Sequence, residues 1–344
     1  MYKPIFNVHP DISWERLSSN PNAIHILEEN NDKIVWDKII LNKNGMKIIE
    51  ENIDKINNDN WKILSQNPYA ISIIEKNLYK VDWSYLSKNI NAISLLEENL
   101  DKIDWKNLSV NPNAIHILEK NLDKVDWGVI SLNTNAIPII EKNLDKVNWW
   151  LFSINPSAVP ILEKNIDKIS WKRLSQNPNA IPILEKNLHK IYWEHFSANI
   201  NAIPVLEKNI DEINWDNLSH NHNAISILEK NLDKINWHVL SSNINAIPII
   251  EKNLDKIYWN ILSTNRNAIH LLEENLDKVD WEWLSLNPNA LHLLAPLNHE
   301  AMRKQMEPLK KDLLEYLFNP LRLRRLCQMF SVDLATLLDQ YQLT

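Results

Sequence analysis

The sequence predicts an all-α fold, an α-solenoid of short two-helix repeats of 22 residues with a C-terminal helical cap. Trp recurs every 22 residues from Trp14 to Trp281, apart from one step of 25 residues after Trp36. With Trp as position 1, position 7 is Asn in all thirteen repeats and position 10 is Ala in twelve. Hydrophobic residues make up 44% of the chain and charged residues 24%, which favours a folded core over disorder. Such periodicity is typical of repeat architectures.

The first helix of each repeat, helix A, is predicted to begin at the repeated Trp. The residue before Trp is Ser, Asn or Asp in ten of thirteen repeats, as at Asp104 and Asn148, and these residues cap helix N-termini well. Trp and the apolar residue three positions later then share one helix face.

The second helix, helix B, is predicted over positions 10–16, with the Asn of position 9 as its N-cap. Pro138 and four equivalent prolines stand at position 12, where a helix starting at position 7 would not accommodate them. A start at position 9 puts these prolines in the first turn. The Asn of position 17 is expected to turn the chain in the left-handed conformation.

The Trp column is expected to form the core. Burying one Trp removes about 150–250 Å² from water, so we expect all thirteen position-1 side chains to be buried. Trp150 and Trp283, at positions 2 and 3, are expected to be more exposed. With about 9–10 Å between packed helices, thirteen repeats predict a curved rod of roughly 120 Å.

The ends of such a rod need covering. Residues 1–13 are interpreted as an N-terminal partial repeat, residues 14–295 as the solenoid, and residues 296–344 as a capping region. Two or three helices are predicted in that region, over about 299–318, then 320–330 and 332–341, and their leucines are expected to cover the open end of the stack.

The repeated Asn of position 7 is predicted to form a structural ladder. A buried amide side chain there can bond to the neighbouring repeat's turn, and unpaired buried amides are costly. The central members of the ladder are Asn111, Asn133, Asn155, Asn177 and Asn199.

Charge and composition exclude several functional classes. A net charge of −7 makes nucleic acid an unlikely partner. Two glycines cannot build a phosphate loop, and the single Cys327 excludes a multi-cysteine metal site. We therefore expect no catalytic residues, cofactor or metal, and no enzymatic activity. No signal peptide or membrane span is apparent, so a soluble protein without membrane contact, located in the cytoplasm, is expected.

Residues 105–127, together with the tail from Met302 to Leu326, resemble a family of 22-residue Trp/Asn-Pro-Asn-Ala helical repeats. That family is abundant in large DNA viruses of amoebae and algae. The resemblance covers almost the whole chain and implies a viral origin, hence host cytoplasm or virion as location. It brings no site residues with it.

The remaining variation predicts a scaffold for protein–protein interaction. Position 6 is often polar, yet Val110, Leu132 and Ile154 occupy it in three successive repeats, and Trp150 lies beside them. These four residues are the predicted partner-binding strip for a host or viral protein. A structural part of a virus particle is the alternative function, and a nucleic-acid-binding solenoid comes third. The sequence leaves the oligomeric state open.

Overall fold

The computed structural model describes residues 6–330 and 333–334, and the repeats form an all-α solenoid. The chain divides into two compact units. One unit is Pro10–Leu294, which holds the repeats, and the other combines Met1–His9 with Ala295–Thr344.

Helix A begins at the repeated Trp in every repeat except the third. The Asp104 side chain accepts the backbone N–H of Asn107, and the side chain of Asn148 caps its helix in the same way. In repeat 3 the three inserted residues lengthen helix A to nine residues, with Asn57 as N-cap. The A helices are Trp14–Ser19, Trp36–Ile39, Asn58–Gln66, Trp83–Leu86, Trp105–Ser109, Trp127–Ile130, Trp149–Phe152, Trp171–Leu174, Trp193–Phe196, Trp215–His220, Trp237–Leu240, Trp259–Ser263 and Trp281–Leu284.

Helix B begins at position 11, one residue later than predicted, and its N-cap is the small residue of position 10. Ala114, for example, provides no side-chain cap. The predicted capping role of position 9 is therefore wrong, whereas Pro138 does lie in the first turn. The B helices, which alternate with the A helices as α1 to α26, are Ile24–Glu29, Met46–Glu51, Ile71–Lys76, Ile93–Glu97, Ile115–Lys120, Ile137–Glu141, Val159–Glu163, Ile181–Glu185, Ile203–Leu206, Ile225–Glu229, Ile247–Glu251, Ile269–Glu274 and Leu291–Leu294.

The Asn of position 17 ends helix B without a left-handed turn. Asn121 has φ −134°, and its side-chain amide donates to the carbonyl of Ile117. The predicted left-handed conformation is wrong, because this amide satisfies a free helix carbonyl directly. Short 3₁₀ helices are Asn31–Lys33, Ile53–Lys55, Leu78–Lys80, Pro156–Ala158, Ile166–Lys168, Leu188–Lys190, Ile210–Glu212 and Leu276–Lys278.

The core consists mainly of aliphatic side chains, with Phe152 and Phe196 at position 4 of two repeats, rather than of the Trp column. Positions 4, 10, 13 and 14 are buried in repeat after repeat, as at Leu174, Ala180, Ile183 and Leu184. Only Trp61 among the position-1 tryptophans is buried, and the other twelve are half-buried. The prediction of thirteen buried indoles was therefore wrong. The deeply buried residues of a short helix A are those at positions 4 and 5, as at Leu174 and Ser175, and not the Trp of position 1.

A ladder of Asn side chains joins neighbouring repeats. The position-7 amide of each repeat except the third donates to two carbonyls of the preceding repeat, at positions 5 and 7. Asn177 donates to Ser153 at 3.1 Å and to Asn155 at 2.9 Å. The predicted members Asn111, Asn133, Asn155, Asn177 and Asn199 all lie in this ladder and are buried.

Two further ladders run beside it. The position-9 Asn donates to the position-8 carbonyl of the preceding repeat, as Asn179 does to Pro156 at 3.0 Å. The position-5 Ser hydroxyl accepts the backbone N–H just before the next Trp, as Ser153 does from Ser170 at 2.9 Å. A regular junction therefore has four hydrogen bonds, all directed at backbone, which fixes the distance between repeats.

The repeat array closes on itself. Asn20 of repeat 1 donates to the carbonyls of Ser285 and Asn287 in repeat 13, at 3.0 and 3.1 Å. The hydroxyl of Ser285 accepts the N–H of Ser13 at 3.0 Å, and Asn22 donates to Pro288 at 2.7 Å. All four bonds of a regular junction are present, so residues 10–294 form a ring. The predicted rod with open ends was wrong.

Closure also corrects the predicted role of the C-terminal cap, because the array has no open end. Helices α27, His299–Leu317, and α28, Pro320–Phe330, match the first two predicted tail helices. In the same unit Phe6 and Leu297 form an antiparallel bridge, and the Asn7 N–H donates to Pro296 at 2.8 Å. The third predicted helix, 332–341, falls almost wholly outside the described residues.

Candidate interaction surface

An apolar groove of about 330 Å³ lies on repeats 2 to 4. It shows which positions share a surface. Position 6 of repeat 2 lies beside position 3 of repeats 3 and 4 and positions 6 to 9 of repeat 3. We call the surface formed by positions 3 and 6 the 3/6 surface. The groove is lined by Leu41, Ile63, Gln66, Asn67, Pro68, Tyr69 and Tyr85.

The predicted strip lies on the 3/6 surface of repeats 5 to 7. Leu132 is 40% exposed, whereas Val110 and Ile154 are half-buried. The position-3 residues Val129 and Leu151 of the same repeats are also apolar and half-buried. The strip is thus a partly accessible apolar band, and none of its members is as deeply buried as the core leucines.

Trp150 borders this band and is 51% exposed. One face of its ring is covered by Arg173 of the next repeat, whose guanidinium lies 3.7 Å from the ring centroid. Arg16 covers Trp283 at the same distance, and Trp283 is half-buried. Stacking of this kind holds an indole rigid and leaves its edge available. Rigid aromatic side chains are favoured at interfaces.

The Lys of position 20 covers the half-buried Trp of the same repeat. In repeat 5 the Lys124 ammonium lies 4.8 Å from the Trp105 ring centroid, and nine other repeats have the equivalent contact. In repeat 9 position 20 is Glu212, and the contact with Trp193 is not made. The position-1 indoles of these ten repeats are therefore shielded by lysines and are not a free apolar surface.

Charged side chains of helix B pair across neighbouring repeats. His116 lies 2.6 Å from Glu97, His270 lies 2.9 Å from Glu251, and Lys252 lies 3.7 Å from Glu229. These pairs are exposed and contribute little to stability. They make this face partly self-neutralising, as the alternation of Glu and Lys in the sequence suggests.

Few titratable groups in the described residues have shifted pKa values, and the surroundings of Asp104 and His222 explain the shifts of these two. Burial acts to raise the pKa of Asp104, but the backbone N–H of Asn107 and the Ser84 hydroxyl hydrogen-bond to it, so its pKa is lowered. This carboxylate is a helix cap. Burial lowers the pKa of His222, and neighbouring His220 and Arg266 add to the effect. Within residues 6–330 and 333–334 no three potential metal ligands cluster.

No helix of the described residues is both long and apolar enough to cross a bilayer. Comparison with protein-family models, with curated proteins and with solved structures found no match for this chain.

Sequence reasoning missed the groove on repeats 2 to 4. Its apolar side chains occupy positions 3, 6, 8 and 9 of three different repeats, so no single position of the alignment of repeats stands out. One signal was present in the sequence. Tyr69 replaces the otherwise common Asn of position 9 in repeat 3, the repeat with the three inserted residues.

Proposed function

We propose that this closed ring of repeats is a non-enzymatic scaffold for protein–protein interaction, and that the 3/6 surface binds its partner. The observation that carries the proposal is the exposed apolar content of this surface, in the groove and in the strip around Leu132. The backbone ladders need no side chains from positions 3 and 6. These positions can therefore vary and still leave the ring intact, which suits a surface adapted to a partner.

The geometry favours an extended or helical segment as the bound part of the partner. Apolar side chains occupy position 6 of the 3/6 surface in three successive repeats, at Val110, Leu132 and Ile154, and also in repeat 2, at Leu41. Neighbouring repeats spaced by about one helix diameter, about 9–10 Å, present such side chains at the pitch of a segment lying across several repeats. Trp150, held by Arg173, would serve as an aromatic anchor at one end.

We also propose a viral origin for the chain, with the host cytoplasm or the virion as its location. The support is the resemblance of the repeat in residues 105–127 to the viral repeat family. A host or a viral protein would be the partner in that setting.

The test replaces one exposed leucine on the surface and one off it. Leu132→Asp places a charge on the 3/6 surface, and Leu122→Asp places the same charge at position 18, where the leucine is 42% exposed. The tagged protein is expressed in infected host cells, and co-purified proteins are quantified by mass spectrometry. The Leu132→Asp variant is expected to recover at least about tenfold less of the specific partner than the unmodified protein does, since a buried unpaired charge disfavours binding.

Leu122→Asp is the matched control and should recover the partner as the unmodified protein does. Circular dichroism and Trp fluorescence establish that both variants are folded. Undiminished recovery by a folded Leu132→Asp variant would reject the 3/6 surface as the binding site.

A further inference from the structure

Helix α27 lacks the packing that normally stabilises a helix of its length. It spans nineteen residues and is capped by Asn298, whose side chain accepts the N–H of Ala301 at 2.8 Å. None of its side chains is buried. Most helical stability in proteins comes from packing an apolar face against other elements rather than from helix propensity. The helix therefore has an apolar face without a cover.

That face has the spacing of a coiled coil. Met302, Met306, Leu309, Leu313 and Tyr316 follow one another at steps of four, three, four and three residues. This is the heptad pattern that keeps one stripe facing a partner helix. Met302 is half-buried and the other four are exposed, with Leu313 at 53%. We call these five residues the heptad stripe.

The charges beside the stripe are compatible with an identical partner. Helix α27 carries four acidic and four basic residues, so two copies do not repel through net charge. Lys304 pairs with Glu300 at 2.8 Å and Lys311 with Glu315 at 3.9 Å within the helix. Helix α28, by contrast, carries three arginines and no acid, and would repel another α28.

We propose that α27 pairs in parallel with α27 of a second copy of this chain, through the heptad stripe. A stripe of this kind is self-complementary, since residues of one helix pack into the spaces of its equivalent. The parallel orientation follows from the flanking positions. Arg303 and Lys310 flank the stripe on the same side, and an antiparallel pair would oppose them. A parallel pair places Lys310 next to Gln305, which avoids this repulsion.

This inference goes beyond the proposed binding function and uses different residues. The first test measures the mass of the full chain by sedimentation across the micromolar range. Leu313→Asp changes the heptad stripe, and Leu314→Asp changes the neighbouring leucine, which is 44% exposed and lies off the stripe. The unmodified chain and Leu314→Asp should form dimers of twice 40.4 kDa. Leu313→Asp should raise the dimer dissociation constant at least about a hundredfold.

The second test reads the orientation. Cys327 is the only cysteine, so Leu313→Cys in a Cys327→Ser background has one thiol. A parallel pair brings the two residue-313 thiols together, and mild oxidation should give a disulfide-linked dimer in high yield. Oxidation of Leu314→Cys in the same background should give much less.

Three results would overturn the proposal. The unmodified chain could remain monomeric at every concentration, the two aspartate variants could weaken the dimer equally, or the Leu313→Asp chain could dimerise as well as the unmodified chain. Trp fluorescence of the repeats shows whether each variant is folded, since the fifteen tryptophans lie between residues 14 and 283.

Discussion

The junction between repeats 2 and 3 differs from the junction between repeats 7 and 8 in how it is held. The regular junction has all four backbone-directed hydrogen bonds, with Asn177, Asn179 and Ser153 as the side chains. At the irregular junction one of them remains, from Asn67 to Ile40 at 2.7 Å. Ile40 replaces the Ser of position 5, and Tyr69 replaces the Asn of position 9.

Other contacts replace the lost hydrogen bonds at the irregular junction. Helix A of repeat 3 is longer, and Asn60 at its start donates to Asp37 of repeat 2 at 2.6 Å. Trp61 is 2% exposed, unlike the tryptophans of the other repeats. Repeats can therefore stack through apolar burial where polar ladders fail. The comparison teaches that hydrogen bonds set the spacing of the ring, whereas burial can supply its cohesion.

The largest expected difference between the junctions is in local opening. Ile39 and Leu174 both occupy position 4, and both backbone N–H groups donate within helix A, at 3.1 and 2.8 Å. The junction of repeats 2 and 3 lacks three hydrogen bonds, and its other contacts replace them only in part. The amide of Ile39 should therefore exchange with an opening free energy about 1–3 kcal/mol lower than that of the Leu174 amide. Hydrogen-exchange mass spectrometry measures both. Equal values would mean that Trp61 compensates fully.

Removal of the ladder amide should cost more at the regular junction. Asn177→Ala removes two buried hydrogen bonds, to the carbonyls of Ser153 and Asn155, and we expect a loss of about 1–3 kcal/mol in the free energy of unfolding. Asn67→Ala removes one such bond, so about half that loss is expected. Urea denaturation of the two variants gives both numbers. A larger loss for Asn67→Ala would contradict the picture of a weakly bonded irregular junction.

The smallest expected effect is a gain. Ser157 replaces the Asn of position 9 in repeat 7, so Ser157→Asn should add the missing bond to the carbonyl of Thr134 and stabilise by about 0.5–1 kcal/mol. Tyr69→Asn makes the same change at the irregular junction, where the carbonyl of Lys43 would accept. It should gain less, because it also removes a tyrosine from the apolar groove. Thermal unfolding compares them, and a larger gain for Tyr69→Asn would show that regular geometry persists at that junction.

Much of the local structure followed from the repeat. Trp spacing, N-caps such as Asp104, and the place of Pro138 predict both helices, because these signals act within a few residues. The Asn ladder was predictable because an Asn shared by all repeats needs a common polar partner. The prediction that the position-1 tryptophans are buried was wrong, because hydrophobicity alone does not tell which apolar residue of a four-residue helix points inward.

Ring closure could not be derived from a single repeat, since it depends on small rotations that accumulate over the whole array. One sequence signal does agree with it. Terminal repeats of open solenoids carry polar outer faces, yet repeats 1 and 13 keep the buried apolar residues Leu17, Leu27 and Leu284. In the candidate site, Leu132 and Trp150 were recognisable as departures from the repeat. The groove was not, because it forms between repeats.

Closure also limits how the gene can change in length. Thirteen repeats share one full rotation, about 28° each, and a ring of twelve or fourteen would need only about 2° more or less at each junction. Duplication or loss of a whole 22-residue unit is therefore a small geometric change spread evenly over the circle. An insertion of any other length must be absorbed at its own junction, and the insertion between repeats 2 and 3 is accompanied by the loss of ladder bonds there. The one extra three-residue segment, Asn57 to Asp59, is absorbed as added length at the start of a helix, which keeps the later repeats in phase.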